Sequence, residues 1–296
     1  MGGPRLSRRD ALAALAGGAG ALAGCSSVLG SSGTAVRVLC AGSLQKAFLD
    51  LESAVDARVE VEAHGSATAA RLVAEGTRDP HVIALADAAL FDSVLSPSWY
   101  AHIASNELAL AYDAGTDAGA RIDRADRWLD PLVDGTVTLG RTDPDLDPLG
   151  YRTLFALELA ADHYDRPGLA EAILDDSRIF PETSLLARLE TGAVDAAVVY
   201  RTMALDRGLD TVDLPADIDL SDPEYADRYA TRSYTLPDGT TVTGGPIDYA
   251  ATLRRADDAS RAVFDVITDG ALLADHGFVT DRYPTFEGDV PDAVEQ

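Results

Sequence analysis

The apolar positions along the chain alternate between two periods. Val36 to Cys40 is a β-rich apolar run that gives way at Ala41-Gly42-Ser43 to a helical pattern through Leu44, Phe48, Leu51 and Val55. Val59 to Ala63 alternates and breaks at His64-Gly65-Ser66 into Ala69, Leu72 and Val73. Val82 to Leu85, then Asp87, leads to a third pattern through Phe91, Val94 and Leu95, and Leu108 to Tyr112 reads as a further strand. Farther on, the pattern predicts strands at Thr136 to Leu139, Ala196 to Tyr200, Thr211 to Leu214 and Ile247 to Leu253. Helices are predicted over Pro148 to Tyr164, Ser184 to Glu190 and through Ala262, Val263, Val266 and Ile267, with a hairpin turning at Asp238-Gly239. This rhythm predicts an α/β fold with a parallel-rich sheet covered on both faces. No repeat of solenoid period is present.

The stretch from Asp143 to Ala160 is the most informative. Asp147 is a natural N-cap, Pro148 suits the first helical position, and Tyr151, Leu154, Phe155 and Ala161 follow at helical spacing. Such a helix start offers free N–H groups and the positive end of a dipole, which suit an anion. A plain cap explains the same residues. Ser43 and Ser66 each follow a strand and open a helical pattern, so they too are either ordinary N-caps or hydroxyl donors. In open α/β sheets ligands sit at the carboxyl ends of the strands, where these three helix starts could converge on one small oxyanion.

The first 34 residues stand apart. Ser7-Arg8-Arg9-Asp10 is a twin-arginine pair followed by a short Ala/Leu/Gly run, and Leu22-Ala-Gly-Cys25 resembles a lipobox. The expectation is an export signal, lipidation at Cys25 or a cut before an unmodified cysteine, and a Ser/Gly tether to Thr34. No run of eighteen or more apolar residues follows Cys25, so the body is not expected to span a membrane. Cys40 is then the one other cysteine, which excludes a disulfide framework and leaves it a small buried hydrophobe.

Acidic residues outnumber basic ones 49 to 24, and Lys46 is the only lysine. A surface this acidic argues against nucleic acid or an anionic membrane surface as partner. It suits a protein kept hydrated in concentrated salt, where self-repulsion is screened. The five histidines show no zinc-ligand spacing, and no nucleophile elbow, Walker loop or Rossmann glycine run is present, so an enzyme finds little support.

The order of motifs resembles the molybdate/tungstate-binding lipoproteins of archaeal ABC importers, a branch of the periplasmic binding proteins. It is carried by Ala41-Gly-Ser-Leu44, Gly65-Ser66, Asp87, Asn106 to Tyr112 and Asp147-Pro-Leu-Gly-Tyr-Arg152, then by Leu185 to Gly192, Asp195 to Tyr200, Leu214 to Leu220, Gly245-Pro-Ile247 and Gly277-Phe278. The resemblance implies a two-lobed type II fold with two crossovers: residues 35–112 plus 214–296 form lobe I, 113–213 lobe II, and 1–34 the signal and tether. It implies capture of molybdate or tungstate between the lobes by Ser43, Ser66, Asp147, Glu182 and Tyr200. Asp147 and Glu182 would reach the Mo or W atom as hard oxygen ligands and expand its coordination. Asp147 matches by motif and Glu182 by its place ahead of Leu185-Leu186, in a segment shorter than the family's; Tyr200 is either a hydroxyl donor or a buried tyrosine. The same resemblance implies no cofactor, an exported monomer anchored by Cys25, and permease and ATPase partners. Sulfate or phosphate binding, and an exported hydrolase using Ser43 or Ser66, are the alternatives.

Overall fold

The computed structural model describes residues 35–292 and 294; the twin-arginine pair and Cys25 lie outside them. Among the described residues thirteen strands run in chain order as β1 Val36–Ala41, β2 Val59–His64, β3 Val82–Leu85, β4 Trp99–Ser105, β5 Leu108–Tyr112, β6 Leu139–Arg141, β7 Arg178–Ile179, β8 Ala196–Tyr200, β9 Asp210–Asp213, β10 Ser233–Thr235, β11 Thr241–Thr243, β12 Asp248–Leu253 and β13 Thr285–Gly288. They form a six-stranded sheet, β13-β4-β12-β3-β1-β2, a five-stranded sheet, β7-β6-β8-β5-β9, and the hairpin β10-β11. Each large sheet is the centre of one lobe. The central strands β3, β5 and β8 are buried along their whole length, as strands covered on both faces must be. Cys40 is buried in β1, where desolvation pushes its thiol far up from its usual range.

Both sheets are mixed rather than parallel-rich. β1 runs parallel to β2 and β3, but β12 enters antiparallel between β3 and β4, and β5 is antiparallel to both β8 and β9. An apolar run announces a buried strand without announcing its direction, and here direction follows from where the chain crosses between lobes. The first crossing is Asn106-Glu107, so β5 belongs to the second sheet and not, as expected, to the first lobe. The return is also later than residue 214. Arg228 reaches Leu159 O at 3.3 Å and Arg232 pairs with Asp162 and Glu158, so the segment before β12 packs on the Pro148–His163 helix of the second lobe. The tail rejoins the first sheet at β12.

Most predicted elements occur within a few residues of their expected places. The pattern after β1 is not one helix but a 3₁₀ turn, Gly42–Leu44, and two short helices, although Leu44, Phe48 and Leu51 are all buried as the spacing requires. Phe91–Leu95 is a single π-helical turn. Strands β4, β7 and β13 were not expected. Among the described residues no helix is long and apolar enough to cross a membrane.

The Asp258–Asp269 helix closes one face of the first lobe, burying Val263, Phe264 and Ile267. Asp257 caps it, accepting from Ser260 N at 3.0 Å and Ser260 Oγ at 2.7 Å. The bond from Ser260 holds the Asp257 carboxyl below its usual range, so this stabilisation is present at neutral pH and is lost as pH falls through that lowered value. Asp257→Ala is expected to lower the unfolding free energy by about 1 kcal/mol in urea at neutral pH. The difference from wild type should shrink in acid.

Candidate functional site

Parallel pairing brings the carboxyl ends of β1, β2 and β3 to one edge of the first sheet, with Ala41 beside His64 and Cys40 beside Ala84. Three loops leave that edge: the Gly42–Leu44 turn, Gly65 before the Ser66–Ala74 helix, and Ala86-Asp87. Facing them from the second lobe are Asp147 at the start of the Pro148–His163 helix, Glu182 at the start of the Glu182–Glu190 helix, and Tyr200 at the end of β8. The lobes touch here. Gly42 N and Ser43 N donate to the two Glu182 carboxyl oxygens at 3.1 and 3.2 Å, and Thr68 N donates to Leu146 O at 3.0 Å. Gly65 must be glycine for this approach, because a Cβ there would lie 2.5 Å from Asp147 Cβ. The fold therefore brings Ser43, Ser66, Asp147, Glu182 and Tyr200 together, and none of the five is more than 3% exposed.

The hydroxyls are polarised as donors. Ser66 Oγ accepts from Ala86 N at 3.0 Å, and Tyr200 OH accepts from Arg152 Nη1 at 2.8 Å. Ser43 Oγ accepts from the Tyr249 hydroxyl at 3.1 Å. A hydroxyl has one proton, so each of the three keeps its own to give to something else. Neither serine is an N-cap: Gly65 occupies the cap before Ser66, and the turn at Ser43 has no side-chain cap bond. Burial keeps the Tyr200 phenol protonated by raising its pKa well above the ordinary value.

The carboxyls behave differently. Asp147 is a true N-cap, accepting from Gly150 N at 2.9 Å and from Thr142 Oγ1 at 2.7 Å. The capping reading is thus realised, and the same side chain packs against Gly65 of the opposite lobe. Desolvation raises the Asp147 pKa despite these bonds, with the nearby Asp143 charge adding to it. Glu182 is raised by burial first and by the Asp147 charge second, against the pull of Gly42 and Ser43. Two acidic groups buried close together resist ionising together.

Arg152 was not among the expected site residues, and it is the central cation. Besides Tyr200 it donates to Ala86 O, and its Nη2 lies 3.7 Å from Asp87 Oδ2. Tyr151, the preceding residue, donates its hydroxyl to the same Asp87 oxygen. Consecutive residues of a second-lobe helix thus grip one loop of the first. A signal existed: Arg152 shares the i, i+3, i+7 stripe with Phe155 and Leu159, and an arginine on a buried stripe needs a buried partner. Asn106 and Tyr249 had no local signal, since their contacts span long stretches of chain.

Comparison with known proteins places this geometry in context. A family model described as bacterial extracellular solute-binding protein matches residues 36–264. A Haloferax volcanii protein, named provisionally as a molybdenum-binding protein of an ABC transporter, is 54% identical over 295 residues, covering 97% of this chain and 96% of its own. The molybdate/tungstate-binding protein of Pyrococcus abyssi is 28% identical over 272 residues, 79% of each chain. Among solved structures, the periplasmic molybdate-binding protein of Azotobacter vinelandii superposes with a TM-score of 0.59 at 13% identity, covering 83% of this chain and all of that one. That likeness concerns the fold.

The raised carboxyls have a consequence for stability. Each has a folded pKa above its unfolded one, so ionisation in the folded state is penalised. The penalty is absent below the ordinary carboxylate range, grows as pH rises through it, and is complete above the raised values. Ligand-free protein is expected to gain stability, relative to Asp147→Asn/Glu182→Gln, as pH falls from about 8 to about 5. Parallel denaturant unfolding curves across that range check it; a constant difference between the two proteins contradicts it.

Proposed function

The chain belongs to the bacterial extracellular solute-binding protein family, and from that premise we propose that it captures molybdate or tungstate in the cleft between its lobes for an ABC importer. The observation that carries this reading is the pairing of opposite chemistries at one buried point. Hydroxyls of Ser43, Ser66 and Tyr200, backbone N–H groups of Gly42 and Ser43, and Arg152 nearby are all donors. The Gly42 and Ser43 N–H groups grip the two oxygens of a carboxyl, and two oxygens of a tetrahedral oxyanion offer the same acceptors.

Asp147 and Glu182 separate the candidate ligands. A carboxylate beside sulfate only repels it. Beside molybdate or tungstate it can bond the metal as a hard oxygen ligand, turning repulsion into coordination. Ser43, Ser66 and Tyr200 would then hold the oxyanion's oxygens, while Asp147 and Glu182 reach its metal. Relatives named for molybdenum or for molybdate and tungstate support the same choice. No cofactor enters this function, and no turnover of ester or phosphate substrates is expected, in contrast to an exported hydrolase.

The setting follows from the rest of the chain. The twin-arginine pair and Cys25 support export and a lipid anchor at the outer face of the cell membrane, with a permease and an ATPase receiving the ligand from a monomeric carrier. The excess of 49 acidic over 24 basic residues supports a halophilic environment.

Thermal unfolding in molar salt tests the ligand. Molybdate or tungstate at a hundred times its dissociation constant should stabilise the fold by about 2.7 kcal/mol, a rise in Tm of roughly 5–10 °C. Sulfate and phosphate should shift it far less, and an equal or larger shift with sulfate overturns the assignment. Asp147→Ala should lose about 1 kcal/mol as a missing cap and, in addition, abolish the molybdate shift.

A further inference from the structure

Asn106 lies at the first crossing between lobes and is buried, with both ends of its amide engaged. Glu107 N, which can only donate, lies 2.9 Å from one end and identifies it as the carbonyl oxygen Oδ1. The NH₂ end therefore faces Thr202 Oγ1 at 2.8 Å and Tyr249 OH at 3.3 Å, and both hydroxyls must accept from it. The Tyr249 ring is held edge-on between Tyr200 and Phe278, at centroid distances of 5.8 and 5.2 Å. Its proton, displaced by Asn106, goes to Ser43 Oγ at 3.1 Å. Ser43, having accepted, keeps its own proton for the cleft side, where its backbone N–H already meets Glu182 Oε1 at 3.2 Å.

We propose that Asn106 is a positioning residue for oxyanion capture, fixing the proton direction along Asn106, Tyr249 and Ser43 so that Ser43 presents a donor, never a lone pair, to the ligand. The proposal rests on the oxyanion reading of the site. Its physical content is the sense of a chain of hydrogen bonds. Without the amide, Tyr249 and Ser43 could each donate to the other, and half of those arrangements would point serine lone pairs at an anion. A single backbone N–H, that of Glu107, sets the polarity of the whole chain.

The test is equilibrium titration of the full chain with sodium molybdate in molar salt. Asn106→Asp replaces the NH₂ by an acceptor, draws the Tyr249 proton away from Ser43, and should raise Kd about tenfold to a hundredfold. Tyr249→Phe removes the middle of the chain without adding charge, should raise Kd about tenfold, and carries the test if the aspartate variant does not fold. In a Ser43→Ala background Tyr249→Phe should change Kd by less than about twofold, because the hydroxyl it orients is gone, and Asn106→Asp should keep only the part of its loss that its added charge causes. Equal losses in both backgrounds would mark a merely structural role and overturn the relay, as would no loss from either variant. Wild-type protein that does not bind molybdate would overturn the reading of the site itself, and the relay with it.

Discussion

The structure depends on burying acidic side chains between its two lobes and supplying each with hydrogen-bond donors, for Glu182 from across the cleft. Asp147 and Glu182 are both within 3% of complete burial, and an isolated carboxylate so placed is strongly disfavoured. Asp147 is held by its own helix start and by Thr142, Glu182 by the backbone of Gly42 and Ser43 from across the cleft. Glu182 can be satisfied in this way only while the lobes are together. Contact between the lobes and hydrogen bonding of the acid are one event.

The surrounding architecture serves that contact. Glycine at positions 42 and 65 lets one lobe's backbone come within reach of the other's carboxyls; a Cβ at Gly42 would sit 2.8 Å from Glu182 Oε2. Tyr151 and Arg152 reach back to Asp87 and Ala86, so the helix that carries Asp147 also clamps the loop beside Ser66. Arg152 is a guanidinium with donors and no acceptor, and one group can bind a carbonyl, a phenol and a carboxylate in a fixed fork. The segment of the tail packed on the Pro148–His163 helix stiffens the same element from behind. A cleft of this kind selects by what its ligand can accept and by whether its central atom tolerates carboxylate oxygens.

How much of this could be read in the chain depends on how local each feature is. The Asp147 cap was legible because Asp-Pro before an apolar stripe is a local pattern, and β5, β8 and the Pro148–His163 helix fell where their periodicity put them. Strand β4 was missed although its apolar residues are plain, because Trp99 to Ser105 carries His102 and lacks a strict alternation. Strand β13 lies near the tail and pairs with β4 across most of the chain. Glu182 was placed by its position ahead of Leu185-Leu186, and the structure sets it beside Ser43.

By itself the sequence determined most of the strands and helices, which faces are apolar, and that several strand ends carry small polar residues. These depend on neighbours within a turn or two of chain. Only the tertiary structure decided the strand directions, the crossing at Asn106-Glu107, and the partners of Arg152, Asn106 and Tyr249. The reason is distance along the chain: Tyr249 meets Ser43 across 206 positions, and no local period records such a contact. The identity of a donor lies in its side chain, but the direction of its proton lies in what the fold sets beside it.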